Sequence, residues 1–130
     1  MPDTACILIV DDEPVVRALL RAALAPAGSS MGRPARVVEA ADGSEALEVA
    51  WRERPDVVLL DVGLPKLNGL DVCRALKTNP AAPRVLLITG NAELERIDDC
   101  GCDGIVTKPF HPAELLELVQ RHLASAAAAA

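Results

Sequence analysis

Aromatic residues are almost missing from this chain: tyrosine is absent, and Trp51 and Phe110 stand alone among 130 residues. A core without rings has to be aliphatic, and a hydrophobic share of 51% makes that feasible. Positive charge is also in deficit, with 13 Lys and Arg against 19 Asp and Glu, a net charge of −6 and a pI near 4.8. That balance argues against a domain that grips nucleic acid or an anionic membrane through its net field, so the expected partner is a protein. Long hydrophobic runs are lacking too, since nothing approaches the roughly 18 residues of a membrane span. Met1 to Ala5 has neither the basic start nor the apolar run of a secretory signal, and a cytoplasmic location is expected. The cysteines Cys6, Cys73, Cys100 and Cys102 lack the paired spacing of a zinc site, with Cys100 and Cys102 forming only a lone C-x-C, so reduced and mostly buried thiols are expected.

What the chain does have is alternation. Apolar runs too short for helices alternate with stretches of helical period, the sequence form of repeated βα units around a parallel sheet. Ala5 to Val10 is predicted as the first strand, and Pro14 opens a helix in which Val15, Val16, Leu19, Leu20, Ala23 and Leu24 recur up to Pro26. The turn formers of Ala27 to Pro34 mark a loop before a second strand at Arg36 to Ala40. Gly43 and Ser44 start a second helix that Pro55 stops, and Trp51 is expected to tuck partly under it. "DVVLLD", ending on Asp61, reads as a central strand covered on both faces. A third helix follows from Asn68 to Thr78, a fourth strand from Arg84 to Thr89, and a short helical segment between Ala92 and Asp99. "GIVTK" is the fifth strand, and Pro112 to about Ala124 the last helix. One domain over 5–124 is expected, with 125–130 as an alanine-rich tail or the start of a linker. Five such units suit an open doubly wound sheet, because an eight-unit barrel needs about 250 residues.

In open parallel sheets, sites form outside the carboxyl ends of the strands. Here those ends carry Asp11 and Asp12, then Asp61, then Thr89 and Gly90, then Lys108 and Pro109. Three carboxylates converging on one rim would raise one another's pKa and weaken the fold unless a cation joined them. An oxygen-only donor set suits a hard divalent ion, and Mg²⁺ takes one or two carboxylates while sharing a phosphoryl group. In a blander reading Asp12 caps the first helix, Asp11 is solvated and Glu13 complements the helix N-terminus, which leaves Asp61 and Lys108 unexplained. A carboxylate at the end of a buried strand needs no general base to attack phosphorus. It needs its charge offset, by a metal on one side and the Lys108 ammonium on the other. Thr89 has a hydroxyl to donate to a phosphoryl oxygen.

"LIVDDEP", "DVVLLDVGLPKLNGL", "VLLITG" and "TKPF", in that order, resemble the receiver domain of two-component response regulators, over essentially Ala5 to Ala124. The resemblance implies a flavodoxin-like five-stranded parallel sheet of order 2-1-3-4-5 with helices on both faces. It implies Asp61 as the phosphoacceptor, direct Mg²⁺ ligation by Asp12 and Asp61 with Mn²⁺ as a substitute, Asp11 acting mainly through water, and the Gly63 carbonyl as a further ligand. Lys108 would pair with the phosphoryl group, Thr89 would move onto it after transfer, and the Lys108–Pro109 bond would be cis. The donor would be a phosphohistidine on a sensor histidine kinase or a histidine phosphotransfer protein. The domain would catalyse its own phosphotransfer and slower autodephosphorylation without being an enzyme in the usual sense.

Three departures from that family's pattern stand out. The switch position three residues before the lysine, usually Tyr or Phe, is Ile105. The interval from Thr89 to Lys108 is about three residues shorter than usual, roughly one helical turn, which predicts a shortened helix between the fourth and fifth strands. The loop from Pro26 to Pro34 is longer than usual. The first two fall on the face through which many receivers signal, so the expectation is intact phosphorylation chemistry with an atypical output face. No DNA-binding domain follows Ala124 in these 130 residues, so a stand-alone receiver, or one cut from a hybrid kinase or longer regulator, is expected to signal through contacts with an unidentified protein target, with a monomer favoured. A pseudo-receiver that binds partners without phosphorylation is the main alternative. A phosphatase of the haloacid dehalogenase class would place a second Asp where this chain has Gly63.

Overall fold

The computed structural model describes residues 4–27, 34–64, 68–79, 82–90 and 101–129. Five parallel strands form one sheet, β1 (Ala5–Val10), β2 (Ala35–Ala40), β3 (Val57–Asp61), β4 (Arg84–Thr89) and β5 (Gly104–Thr107), in the order β2-β1-β3-β4-β5. Among the described residues the helices are α1 (Pro14–Leu24), α2 (Gly43–Glu53), α3 (Gly69–Lys77) and α4 (Pro112–Ala129). The predicted segment between Ala92 and Asp99, Cys100 and most of the loop before β2 lie outside the described residues.

The sheet divides the core in two because successive strand side chains point to opposite faces. Leu8, Val10, Val58, Leu60, Val85 and Leu87 pack toward α2 and α3. Ile7, Ile9, Val57, Leu59, Leu86 and Ile88 pack toward α1 and α4, with Leu20, Leu24, Leu115, Val119 and Leu123. Burial on both faces is why β1, β3 and β4 read as unbroken apolar runs, whereas the edge strand β5 alternates between half-buried and exposed.

The structure resolves an ambiguity in α1 and corrects one sequence expectation, at Trp51. In α1 only Val16, Leu20, Ala23 and Leu24 turn toward the core, while Val15 and Leu19 remain 70% and 62% exposed, because successive residues rotate by about 100° and a helix on a sheet buries one stripe. Trp51 does not tuck under α2; it is 54% exposed, since Ala46, Val49 and Ala50 occupy the buried face and leave no room for an indole there. Helix α2 is capped at one end by the Asp42 carboxylate, which accepts from the Glu45 amide at 2.9 Å. It ends on Arg54 in the left-handed region at φ 49°, directly before Pro55. The last helix runs past Ala124 to Ala129, as an alanine-rich run with high helix propensity can. Cys6 and Cys73 are buried and Cys102 is half-buried.

Candidate functional site

The site grows from the carboxyl ends of β1 and β3, which are neighbours in the sheet. Asp11 follows the last residue of β1, and its amide donates to the Ala40 carbonyl at 3.2 Å, so the ladder with β2 extends one residue past the strand. Its side chain turns back, Oδ1 accepting from the Glu13 amide at 2.9 Å. Asp61 closes β3 and is repeated in miniature: Oδ1 accepts from the Gly63 amide at 3.0 Å, while the Val62 amide reaches over to the Ile88 carbonyl. Asp11 and Asp61 are only 2% and 7% exposed. Asp12 stands exposed beside them, and one carboxylate oxygen from each of Asp11, Asp12 and Asp61 lies within 4.8 Å of the others.

Glu13, not Asp12, holds the N-cap position of α1, and it makes no side-chain cap bond. The capping reading of Asp12 therefore fails, and the acid is left for the cluster. Three oxygen donors at that separation, with no nitrogen or sulfur ligand among them, fit a hard divalent cation that keeps part of its water shell. The crowding registers on Asp11, whose carboxyl is pushed up to about 6, first by burial and then by the charge of Asp61, against the opposing Glu13 amide bond.

Lys108 approaches from β5, its Nζ 3.5 Å from Asp61 Oδ2. That is a long contact for a charge-assisted bond, an ammonium aimed at the carboxylate rather than locked on it. The Lys108 amide donates to the Thr89 carbonyl at 2.8 Å, which ties the lysine to the end of β4, and the Lys108–Pro109 peptide is cis. Thr89 is buried at 1% exposure with its hydroxyl donating to the Gly90 carbonyl at 2.8 Å. Ile105 pairs with Leu87 in register and is 43% exposed, apart from the carboxylates. The sheet thus gathers Asp11, Asp12, Asp61, Gly63 and Lys108, with Thr89 on the adjoining strand and Ile105 outside the group.

One pair was not legible beforehand. Arg17 of α1 donates through Nη1 to the Asp11 carbonyl at 2.7 Å and through Nε to Glu39 of β2 at 3.0 Å. The only hint in the sequence is that each is the lone charge in an otherwise apolar stretch, "PVVRALL" and "VVEAA".

The high pKa of Asp11 has a measurable consequence. Below about pH 6 a cation must displace its proton, so Mg²⁺ affinity is expected to fall as pH drops from 7.5 to 5.5, and Asp11→Asn should flatten that dependence. In metal-free protein the sign is the reverse of the usual carboxylate case. The folded pKa lies above the unfolded one, so the folded state binds more protons and stability is lost as pH rises from about 4 through about 6. Relative to Asp11→Asn, the wild type should lose about 2 kcal/mol over that window in urea unfolding with a chelator present.

Comparison with known proteins converges on one family. The model of the response regulator receiver domain matches residues 7–120. The probable transcriptional regulatory protein TcrX of Mycobacterium tuberculosis is 42% identical over 113 residues, covering 85% of this chain and 46% of its own length. The DNA-binding response regulator MtrA of Mycolicibacterium smegmatis is 38% identical over 122 residues, covering 90% of this chain and 50% of its own. The chain therefore spans about half the length of these curated relatives. Among solved structures, the receiver domain of a sensor histidine kinase from Pseudomonas aeruginosa, with a magnesium ion coordinated in its active site cleft, superposes at a TM-score of 0.79 and 32% identity, covering 93% of this chain and 98% of that one. A CheY-like receiver domain protein from Methanospirillum hungatei shares the fold at a TM-score of 0.81 and 24% identity, covering 98% of this chain and 99% of that one. With the sheet order, the rim of aspartates and the matched span all in agreement, this chain belongs to the receiver domain family of two-component response regulators.

Proposed function

We propose that this domain accepts a phosphoryl group from a phosphohistidine onto Asp61, in a reaction that requires Mg²⁺ or its substitute Mn²⁺, and signals the change through protein contacts. The observation that carries the reading is the gathering of three carboxylate donors within 4.8 Å beside an ammonium aimed at one of them. Asp12 and Asp61 would ligate the ion directly, Asp11 mainly through water, and the Gly63 carbonyl would complete the protein ligands. When bound, the ion offsets the negative charge of the site and polarises the phosphoryl group. An Asp61 oxygen then attacks phosphorus while the P–N bond to the donor imidazole breaks and its electron pair leaves with the ring. Lys108 would pair with the phosphoryl oxygens, and Thr89 would exchange its bond to the Gly90 carbonyl for one to the new phosphate. Slow hydrolysis of the resulting acyl phosphate would reset the domain.

The donor in this reading is a sensor histidine kinase or a histidine phosphotransfer protein, and the setting is the cytoplasm; no helix among the described residues is long and apolar enough to cross a membrane. The curated relatives include a DNA-binding regulator, but a net charge of −6 favours protein contacts for these 130 residues, acting as a monomer. Ile105 cannot act by the inward swing of an aromatic ring, so the output face is proposed to be atypical. Incubation with acetyl phosphate and Mg²⁺ should add one phosphoryl group by intact mass, with amide shifts spreading from the acidic rim toward β5. Absence of both adduct and Mg²⁺ affinity would restore the pseudo-receiver reading, and an adduct without shifts beyond the rim would make the domain a phosphate relay.

A further inference from the structure

We infer that Arg17 is a positioning residue for the acidic pair, aiming Asp12 into the metal site through the peptide that joins Asp11 to Asp12. This rests on the metal-site reading above and adds a residue to it. The Asp11 amide is held by the Ala40 carbonyl, the Asp11 side chain by the Glu13 amide, and the Asp11 carbonyl by Arg17 Nη1 at 2.7 Å. With all three groups of Asp11 held, the direction in which Asp12 leaves the strand is fixed, although Asp12 itself is exposed. Adjacent carboxylates would otherwise swing apart to relieve their repulsion.

Arg17 can do this because Glu39 holds the other edge of its guanidinium at 3.0 Å, and Arg21 in turn holds Glu39 at 2.7 Å. The Arg17 and Glu39 side chains are 18% and 30% exposed, so the bridge is partly shielded from water. A planar fork serves a carboxylate and a carbonyl at once, which an ammonium on a flexible stem does poorly. Two physical effects oppose each other. A cation near the site repels Mg²⁺, so removing Arg17 should tighten binding if its charge dominates. Glu39, shared with Arg21, offsets part of that charge, and Arg17 meets the Asp11 carbonyl rather than a carboxylate of the site, so positioning is expected to be the larger effect.

Calorimetric titration of the full chain with MgCl₂ tests this, alongside melting temperatures in chelator to verify folding. Arg17→Ala is expected to weaken Mg²⁺ affinity about tenfold, at the low end for residues that orient metal ligands. Arg17→Lys keeps the charge and the stem, protects against loss of fold, and is expected to recover less than half of that loss. Affinity within twofold of wild type in folded Arg17→Ala, tighter binding, or full recovery by Arg17→Lys would each overturn the assignment. A wild type that binds no Mg²⁺ would instead overturn the metal-site reading, and this inference with it.

Discussion

Asp61→Asn is expected to acquire no phosphoryl group from acetyl phosphate under conditions that label the wild type to completion. The amide keeps the size of the carboxylate, and its oxygen can still accept the Gly63 amide that Asp61 Oδ1 holds at 3.0 Å, so the local backbone has no reason to move. What disappears is the anionic oxygen that attacks phosphorus and one of three charges that attract the cation. The fold should not suffer. The charge of Asp61 raises the cost of ionising buried Asp11, so in chelator the variant should melt no lower than the wild type, and Asp11 should titrate closer to the usual carboxylate range. Intact mass and a thermal melt on the same sample separate the outcomes. A folded Asp61→Asn that still takes up phosphate would mean that another side chain is the acceptor.

The second large effect is expected at Gly69, the first residue of α3. A Cβ there would lie 2.5 Å from the Asp61 carbonyl oxygen, 2.7 Å from Val62 Cα and 3.1 Å from the Val62 carbonyl oxygen. All three are backbone atoms, and none can rotate away as a flexible side chain would. Alanine brings about 1 kcal/mol of helix preference, but the overlap forces α3 off the end of β3, and a net loss of about 2 kcal/mol is expected in urea unfolding. Since the displaced atoms belong to Asp61 and its neighbour, Gly69→Ala should also slow phosphoryl uptake. Gly63→Ala is the control: its nearest neighbour would be Asp61 Oδ1 at 3.8 Å, an ordinary contact, and stability should hardly change. Equal stability of the two variants would refute the packing argument.

Much of this arrangement was readable from the chain, for a physical reason. Central strands of a parallel sheet are buried on both faces, so Ala5–Val10 and Arg84–Thr89 announce their limits in composition, and parallel strands put all their carboxyl ends on one rim. Asp11, Asp12 and Asp61 could therefore be grouped before any geometry was known. Other features depend on what lies across space. Which stripe of α1 is buried could not be told from a helix apolar on two sides, and Val15 and Leu19 face out although their spacing matches that of Leu20 and Leu24. Trp51 failed because hydrophobicity alone does not show that Ala46 and Ala50 leave only a shallow seat. The Arg17 bridge to Glu39 joins residues 22 apart, which meet only because β2 lies beside β1.

The placement of Trp51 also decides how the molecule can be watched. The lone indole sits eight residues into α2, about 12 Å along the axis from the helix start that faces the rim, and it is already 54% in water. Intrinsic emission will then be red-shifted from the outset and nearly deaf to ion capture or acylation. A fluorimetric assay for this protein needs an engineered reporter near β3, or a different kind of light altogether.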